Sequence, residues 1–295
     1  MKAMVTLTSE ESKRLIAKSI VQMEAVQRAK EEAFIGLSLC TSCGYVIQEL
    51  LGEQSINLSE YCCGFTYAGG SCRVPSSGQK RLLLLDKGEK RWLNFPEENF
   101  TAFIDQMDGD DIIIKSGNIM DPQGNVGVLA ASLNGGEAGD YLGHILAKGI
   151  QLIVPMTLNK TSPIPLAEII PHMGVYKFRR DRVHGMSCGM MPLPGKVITE
   201  MDAFRDLFGV KAIPVAMNGV GSGTGSVTLV LMGEDQAVEK AWQGVSKIKG
   251  EPPLTNLFSQ CSRCVASSEK EHGIRCSTRQ VRLKKSRGGK GIRKG

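Results

Sequence analysis

Aromatic side chains are scarce in this chain of 295 residues, since Phe, Trp and Tyr together make up 5% of it. Proteins that bind single-stranded nucleic acid with little sequence preference stack the bases on aromatic rings. The scarcity of aromatic residues therefore argues against a base-stacking platform as the main surface of this protein.

Long apolar runs are also missing, because no stretch approaches the roughly 20 apolar residues of a membrane-spanning helix. The opening residues, MKAMVTLTSEESKR, carry acids and lack the apolar centre of a signal peptide. We therefore expect a cytoplasmic protein with no membrane partner. The rest of the composition, 42% hydrophobic and 22% charged residues, is typical of a globular protein.

Acidic residues are absent from residues 277–295, which contain eight Lys and Arg residues. When these eight charges are subtracted from the formal charge of +6, residues 1–276 carry a charge of −2. The main body is therefore not expected to bind polyanions, whereas the basic tail predicts docking on RNA or on a protein partner. The oligomeric state is left open, with a homo-oligomer among the alternatives.

A strand–loop–helix–strand unit between Asp110 and Pro155 organises the rest of the sequence. The predicted elements are a β-branched strand at 111–114, a polar loop at 115–125, a helix that Gly135-Gly136 opens and Gly149 ends, and a strand at 150–154. Such a unit is a crossover of a parallel sheet, whose ligands bind at the carboxyl ends of the strands. Lys115, Asn118 and Asp121 fall at that place, although the alternative is that they only build a tight turn.

The N-terminal region predicts a second binding loop. Thr8 and Glu11 form a capping box that starts a helix running to about Glu32, and the apolar residues 33–39 predict a strand. A loop of small residues then precedes a helix at 45–51, and its free N–H groups and hydroxyls are placed to hold a phosphate. The residues of this loop are Cys40, Thr41, Ser42, Cys43 and Gly44. The alternative is a loop that binds nothing.

Four further segments complete the first half of the chain. Residues 60–80 are rich in Gly, Ser and Cys and predict a long functional loop. The runs 81–85 and 91–93, joined by a Lys87-Gly88 turn, predict a hairpin, and apolar residues at helical spacing in 97–110 predict a surface helix. After Pro155, Lys160 is placed to reach an anionic ligand, with a solvated loop lysine as the alternative.

The order of these motifs resembles the superfamily of ribose-5-phosphate isomerase, glucosamine-6-phosphate deaminase and the CoA transferases. The stretch FIGLSLCTSCGYVIQELLG is similar to the phosphate loop of its sugar-phosphate members, and DDIIIKSGNIMDPQGNVG is similar to their active-site loop. The similarity covers about residues 10–170 and implies a parallel-sheet domain that binds a phosphorylated or otherwise anionic metabolite. It implies that Lys115 stabilises an oxyanion. The further ligand-binding residues in this scheme are Ser116, Gly117, Asn118 and Asn125.

The chain departs from the family at the catalytic acid. Asn118 stands where the related isomerases of methionine salvage have an Asp, and an amide cannot accept a proton as a general base. Asp121 is then the nearest candidate for acid–base chemistry, and the Glu nucleophile motif of the CoA transferases has no match. The resemblance therefore implies a branch of the superfamily outside its named reactions, with isomerase-like or transferase-like activity left open.

Residues 183–250 predict a strand–helix–strand–strand–helix unit that resembles a ferredoxin-like α+β domain. Its strands are expected at 184–192, 210–217 and 226–232, and its helices at 199–208 and 234–249. The Gly-rich stretch 219–225 enters a strand rather than a helix, so we interpret it as a hairpin loop first and as a ligand clamp second.

The chain has nine cysteines, which in a protein expected in the cytoplasm indicate metal, redox or nucleophilic chemistry before disulfides. Four tail residues have the spacing of a zinc knuckle and predict a zinc site, with incidental cysteines in a disordered tail as the alternative. These residues are Cys261, Cys264, His272 and Cys276.

Cys40 and Cys43 form a CxxC pair at the start of a predicted helix, where thiol pKa values are lowered. With Cys62, Cys63 and Cys72 close in sequence, the pair is placed to hold an iron–sulfur cluster or another metal. The alternatives are a redox dithiol and buried, inert thiols.

These patterns together predict an α/β fold in three parts. The parts are a parallel-sheet, isomerase/CoA-transferase-like domain at 1–175, a small ferredoxin-like α+β domain at 176–253 and a Cys/His-rich basic tail at 254–295. The leading hypothesis is binding of an anionic metabolite, with Lys115 and Asp121 as catalytic residues. The competing hypotheses are a zinc or iron–sulfur protein that docks on RNA or a protein partner, and a CxxC redox protein.

Overall fold

A mixed β-sheet forms the centre of the fold in the computed structural model, which describes residues 1–52, 56–58, 61–67, 70–73, 80–95, 97–179 and 182–254. The strands in this part of the chain are β1 (Lys2–Leu7), β2 (Phe34–Leu37), β3 (Gly64–Tyr67), β4 (Gly70–Arg73), β5 (Lys80–Asp86), β6 (Glu89–Phe95), β7 (Ile112–Ile114), β8 (Ile119–Met120), β9 (Val126–Ala130), β10 (Gln151–Pro155), β11 (Gly189–Leu193), β12 (Lys196–Ile198), β13 (Lys211–Met217) and β14 (Val227–Met232). The α-helices are α1 (Ser9–Gln22), α2 (Glu24–Glu32), α3 (Thr41–Leu51), α4 (Gly136–Lys148), α5 (Leu166–Ile169), α6 (Glu200–Phe208) and α7 (Asp235–Ile248). The predicted mixed α/β class is confirmed.

The central sheet has the strand order β12-β10-β7-β2-β5-β6. The first four strands run parallel, and β5 and β6 are antiparallel to their neighbours. All three isoleucines of β7 are fully buried, because parallel strands in the middle of a sheet are covered on both faces. β7 and β10 pair in parallel, and α4 lies between them in the chain, so the predicted crossover is confirmed.

A second sheet, of order β1-β14-β13, joins the two ends of the described chain. β1 runs antiparallel to β14, from Lys2 opposite Met232 to Leu7 opposite Val227. The strand alternates, with Val5 and Leu7 buried and Met4 and Thr6 exposed. Because hairpin β13–β14 leaves one edge of β14 open, β1 completes the sheet and buries its apolar face.

The predicted boundary after residue 175 does not separate the sheets. β1 joins β13 and β14, while β12 extends the central sheet beside β10. The strand predicted at 184–192 is β11, and it pairs with β9 in a third sheet of order β11-β9-β8. The third strand that accompanies β13 and β14 is therefore β1, which local patterns could not identify.

Two predicted segments differ from the structure in their local conformation. The N-terminal helix breaks at Met23, whose extended backbone separates α1 from α2. The surface helix predicted at 97–110 is wrong, since this segment contains one 3-10 turn, Phe100–Ala102. The apolar side chains that suggested a helix, Phe100, Ile104 and Met107, are instead buried in the core. The hairpin of β5 and β6 is confirmed, and its turn residues Lys87 and Gly88 both have positive φ, as in a type I′ turn. No helix of the described ranges is both long and apolar enough to cross a membrane.

Glu11 fastens the start of α1 to the end of α7. Its Oε2 accepts the Thr8 N–H at 2.9 Å in the predicted capping box, and it also accepts Lys249 Nζ at 2.8 Å. Its Oε1 accepts the Gly250 N–H at 2.9 Å. Burial raises the pKa of Glu11, but the hydrogen bonds from Lys249, Thr8 and Gly250 outweigh burial and lower it.

We expect Glu11→Gln to lower the free energy of unfolding by about 1 kcal/mol at pH 7, because it weakens charge-assisted hydrogen bonds. A carboxylate with a lowered pKa in the folded state stabilises above its unfolded pKa and loses this effect as the pH falls through the folded pKa. The difference from the wild type should therefore shrink below about pH 4. Urea unfolding at several pH values measures this difference in the free energy of unfolding, and substitution of the exposed Glu24 by Gln is the control. An equal difference at pH 7 and pH 3 would contradict this role.

Candidate functional site

Cys40 lies where the chain leaves β2 and enters α3. It is the N-cap residue of α3, and its Sγ accepts the Cys43 N–H at 3.2 Å, the bond that Ser, Thr or Asp usually accepts. The stretch predicted as a phosphate loop is therefore the first turn of α3. The helix dipole directs its positive end at the Cys40 sulfur.

Cys40 and Cys43 form an unequal pair of thiols. Their Sγ atoms are 2.8 Å apart, and Cys43 is completely buried with its Sγ 3.2 Å from the Ile114 carbonyl oxygen. Burial raises the pKa of Cys40, but hydrogen bonds from the Cys43 thiol and N–H, together with the charge of Lys115, lower it to about 6. Burial and the neighbouring Cys40 hold the pKa of Cys43 well above its ordinary value. Cys40 is therefore the thiolate and Cys43 the thiol at neutral pH.

Lys115 and Glu137 form a buried ion pair beside these thiols. Lys115 follows β7, Glu137 lies in the first turn of α4, and Nζ is 3.4 Å from Oε2. Burial lowers the pKa of Lys115, but the charge of Glu137 raises it above the ordinary value. Glu137 Oε1 has no hydrogen-bond partner within the described part of the chain. An acceptor that is both buried and unpaired is costly, so it points to a donor supplied by a ligand.

Lys160 reaches the same place from the end of β10. Its Nζ donates to Ser116 Oγ at 3.3 Å and to the Gly117 carbonyl oxygen at 3.0 Å. Burial and the charge of Lys13 lower the pKa of Lys160 to about 8. The two lysines of the site therefore differ, since Lys115 has a carboxylate partner and Lys160 has neutral acceptors.

A cleft of about 1140 Å³ connects these groups. Seven of the residues predicted as site residues line it, and they follow the carboxyl ends of β2, β7 and β10. These seven are Cys40, Thr41, Lys115, Ser116, Gly117, Asn118 and Lys160. The structure thus brings the two predicted binding regions together at one edge of the sheet.

Five other predicted site residues do not line the cleft. Cys43 is buried behind Cys40. Ser42 and Gly44 belong to the first turn of α3, where Ser42 is buried and a side chain at position 44 would contact Leu58. Asp121 is buried, and its carboxylate accepts the N–H groups of Gln123, Asn125 and Leu166 and the Asn125 side chain. This geometry fixes the loop and does not support the acid–base role predicted for Asp121 or ligand contact by Asn125.

The cleft also contains residues that sequence reasoning missed. Glu137 and Asp140 line it from α4, and an acid in the first turn after Gly135-Gly136 is the pattern that could have indicated them. Four further cysteines line its wall, of which the first three were predicted beside the CxxC pair and the fourth had no predicted role. These are Cys62, Cys63, Cys72 and Cys188. The segments that carry Cys72 and Cys188 are joined by a hydrogen bond from the Met186 N–H to the Ser71 carbonyl oxygen at 2.9 Å.

The metal predictions have different outcomes. Among the described residues, no group of three or more Cys, His, Asp and Glu side chains is arranged to hold a metal ion, so the structure gives no support to a metal or iron–sulfur site at Cys40 and Cys43. The predicted zinc ligands Cys261, Cys264, His272 and Cys276 lie outside the described residues, as does the basic run at 277–295.

Comparison with protein-family models, curated proteins and solved structures finds no match. The resemblance to the sugar-phosphate isomerase and CoA-transferase superfamily therefore stays a prediction.

We expect alkylation of Cys40 by iodoacetamide to rise with pH to a half-maximal rate near pH 6, since only the thiolate reacts. Cys43→Ala removes the thiol donor and should move the midpoint upward, toward about 8. Peptide mass spectrometry after timed alkylation measures the rate at Cys40 alone. Cys188→Ala, which changes another cysteine that lines the cleft, is the matched control and should leave the midpoint unchanged. A wild-type midpoint of 8 or higher would contradict the hydrogen-bonded thiolate.

Proposed function

We propose that the protein is a thiol–disulfide exchange protein in which Cys40 and Cys43 form the reactive dithiol. The observation that carries this proposal is the 2.8 Å contact at the start of α3 between the sulfur of Cys40, which lines the cleft, and the sulfur of the buried Cys43. A nucleophilic thiolate with a protonated thiol within bonding reach is what two-step disulfide exchange requires.

The exchange proceeds in two displacements. The Cys40 thiolate attacks one sulfur of a substrate disulfide, which forms a mixed disulfide and releases the other sulfur as a thiolate. This leaving thiolate takes the proton of Cys43, and the Cys43 sulfur then attacks the Cys40 sulfur, which breaks the mixed disulfide and releases the second substrate sulfur as a thiolate. The products are a Cys40–Cys43 disulfide and a substrate reduced by two electrons, and an external dithiol restores the pair.

The surroundings favour the first displacement. Lys115 carries its positive charge next to the Cys40 thiolate and is held by Glu137, so it remains protonated at the pH at which Cys40 ionises. The cleft is larger than a disulfide group, which favours a substrate with bulky groups on the sulfur atoms.

We expect oxidised glutathione to convert the wild-type pair into a Cys40–Cys43 disulfide without a lasting adduct. Cys43→Ser should stop after the first displacement and keep glutathione on Cys40, whereas Cys40→Ser should do neither. Mass spectrometry of the unreduced peptides distinguishes these products, and Cys63→Ser serves as the cleft-lining control. A wild-type protein that keeps glutathione on Cys40 and never forms the disulfide would contradict a dithiol function.

The second candidate function is binding of an anionic metabolite, and the cluster of amines favours it. Lys13, Lys115 and Lys160 all line the cleft, with the amide of Asn118 beside them. We propose binding without catalysis for this candidate, because the carboxylate of Asp121 is occupied by hydrogen bonds within its loop and does not serve as an acid or a base.

We expect ribose 5-phosphate, as a probe anion, to raise the melting temperature of the protein. Lys13→Gln removes a cleft amine and should weaken binding about tenfold, which corresponds to one charge-assisted contact. Lys18→Gln is the matched control, since Lys18 is on the same helix and pairs with Glu49. Equal melting shifts in both variants would contradict anion binding in the cleft.

A further inference from the structure

Lys160 is the amine in the cleft that has no counter-ion. Its hydrogen-bond partners, Ser116 Oγ and the Gly117 carbonyl oxygen, are neutral, and it forms no ion pair with any residue of the described ranges. The other cleft amines are different, because Lys115 pairs with Glu137 and Lys13 lies 3.4 Å from Glu10. The side chain of Lys160 is partly exposed and lines the cleft, so a ligand can reach it.

An ammonium group in this place is disfavoured. Moving a charged amine out of water without a carboxylate partner costs free energy, and a second positive charge nearby adds to the cost. The groups that act on Lys160 come from several elements: Lys13 of α1 opposes its charge, whereas Cys40, Glu200 of α6 and Cys43 favour it. Burial and Lys13 outweigh the other three, so the neutral amine is present at a much higher fraction than in a surface lysine.

A desolvated lysine beside another cation is the arrangement that activates an amine as a nucleophile. Lys160 approaches this arrangement after the carboxyl end of β10, because it is partly buried and shares the cleft with Lys13. Ser116 Oγ touches its Nζ and can carry a proton, and Lys13 provides a charge that attracts an anion into the cleft. The unpaired Oε1 of Glu137 is a further acceptor for a ligand hydroxyl.

We propose that Lys160 is a nucleophilic amine that forms an imine with a small aldehyde or ketone carrying an anionic group. The neutral Nζ attacks the carbonyl carbon, and the carbonyl oxygen gains a proton to give a carbinolamine. Loss of water then leaves a C=N bond between Lys160 and the ligand. The step joins an amine and a carbonyl compound and releases one water, with no change of oxidation state.

This activity is separate from the exchange of disulfides at Cys40. Cys40→Ser removes the dithiol and one group that favours the charged form of Lys160 but keeps Lys160, Lys13 and Ser116, so imine formation should persist in that variant. In the wild-type protein, imine formation at Lys160 without any disulfide exchange would overturn the proposed function and leave this inference intact, and exchange without imine formation would do the reverse.

The test uses the full-length wild-type protein, glyoxylate as the anionic carbonyl probe and cyanoborohydride to reduce imines as they form. Peptide mass spectrometry compares carboxymethylation of Lys160 with that of Lys18, a lysine of the same intermediate burial whose amine is paired with Glu49. At pH 7.5 we expect Lys160 to react about tenfold faster than Lys18, because a larger fraction of it is neutral. Lys160→Gln should lose this fast-labelled peptide and keep labelling at Lys18.

Formaldehyde, a neutral carbonyl, completes the test. Fast labelling of Lys160 by both probes, with glyoxylate favoured at low ionic strength, supports the proposal. Fast labelling by formaldehyde alone overturns the anionic class of ligand. Labelling of Lys160 no faster than Lys18 by either probe overturns the nucleophilic amine.

Discussion

The parallel pairing of β2, β7 and β10 is the constraint on which the cleft depends. Leu37, Ile114 and Ile153 lie side by side in these strands, and the ladder continues with the Ser38 N–H bonded to Ile114 and the Lys115 N–H bonded to Ile153. The chain therefore leaves all three strands at the same edge of the sheet. Groups that are far apart in sequence meet there because burial of the apolar strands fixes their register.

The charged and polar neighbours of each group in the cleft then give it a different protonation state. The thiolate of Cys40 is held by hydrogen bonds from the first turn of α3, and Lys115 is held as a cation by Glu137. Lys160 lacks such a partner and is held closer to neutrality. A thiolate, a fixed cation and a partly neutral amine thus share one cleft. The pKa values of Lys115 and Lys160 differ because Lys115 has a carboxylate partner and Lys160 has neutral acceptors.

Sequence patterns predicted the local elements well and the long-range pairing poorly. The isoleucines of β7, the glycine that ends α4 and the capping box at Thr8 act over a few residues, so their effect is visible in the sequence. The pairing of β1 with β14 depends on an open sheet edge more than two hundred residues away. Asp121 shows the same limit, because its Asp-Pro turn was visible, whereas the Leu166 N–H that occupies its carboxylate was not.

The electrostatic influence of Cys40 on Lys160, two residues that line the same cleft, links the two proposed chemistries. The negative charge of the Cys40 thiolate favours the protonated form of Lys160 and so opposes the effects of burial and Lys13. A disulfide between Cys40 and Cys43 carries no charge, so oxidation of the pair removes this opposition. The pKa of Lys160 then falls further, and a larger fraction of the amine is neutral at a given pH. Under the two proposals, the redox state of the dithiol would therefore set how nucleophilic the lysine is, because both groups line the same cleft.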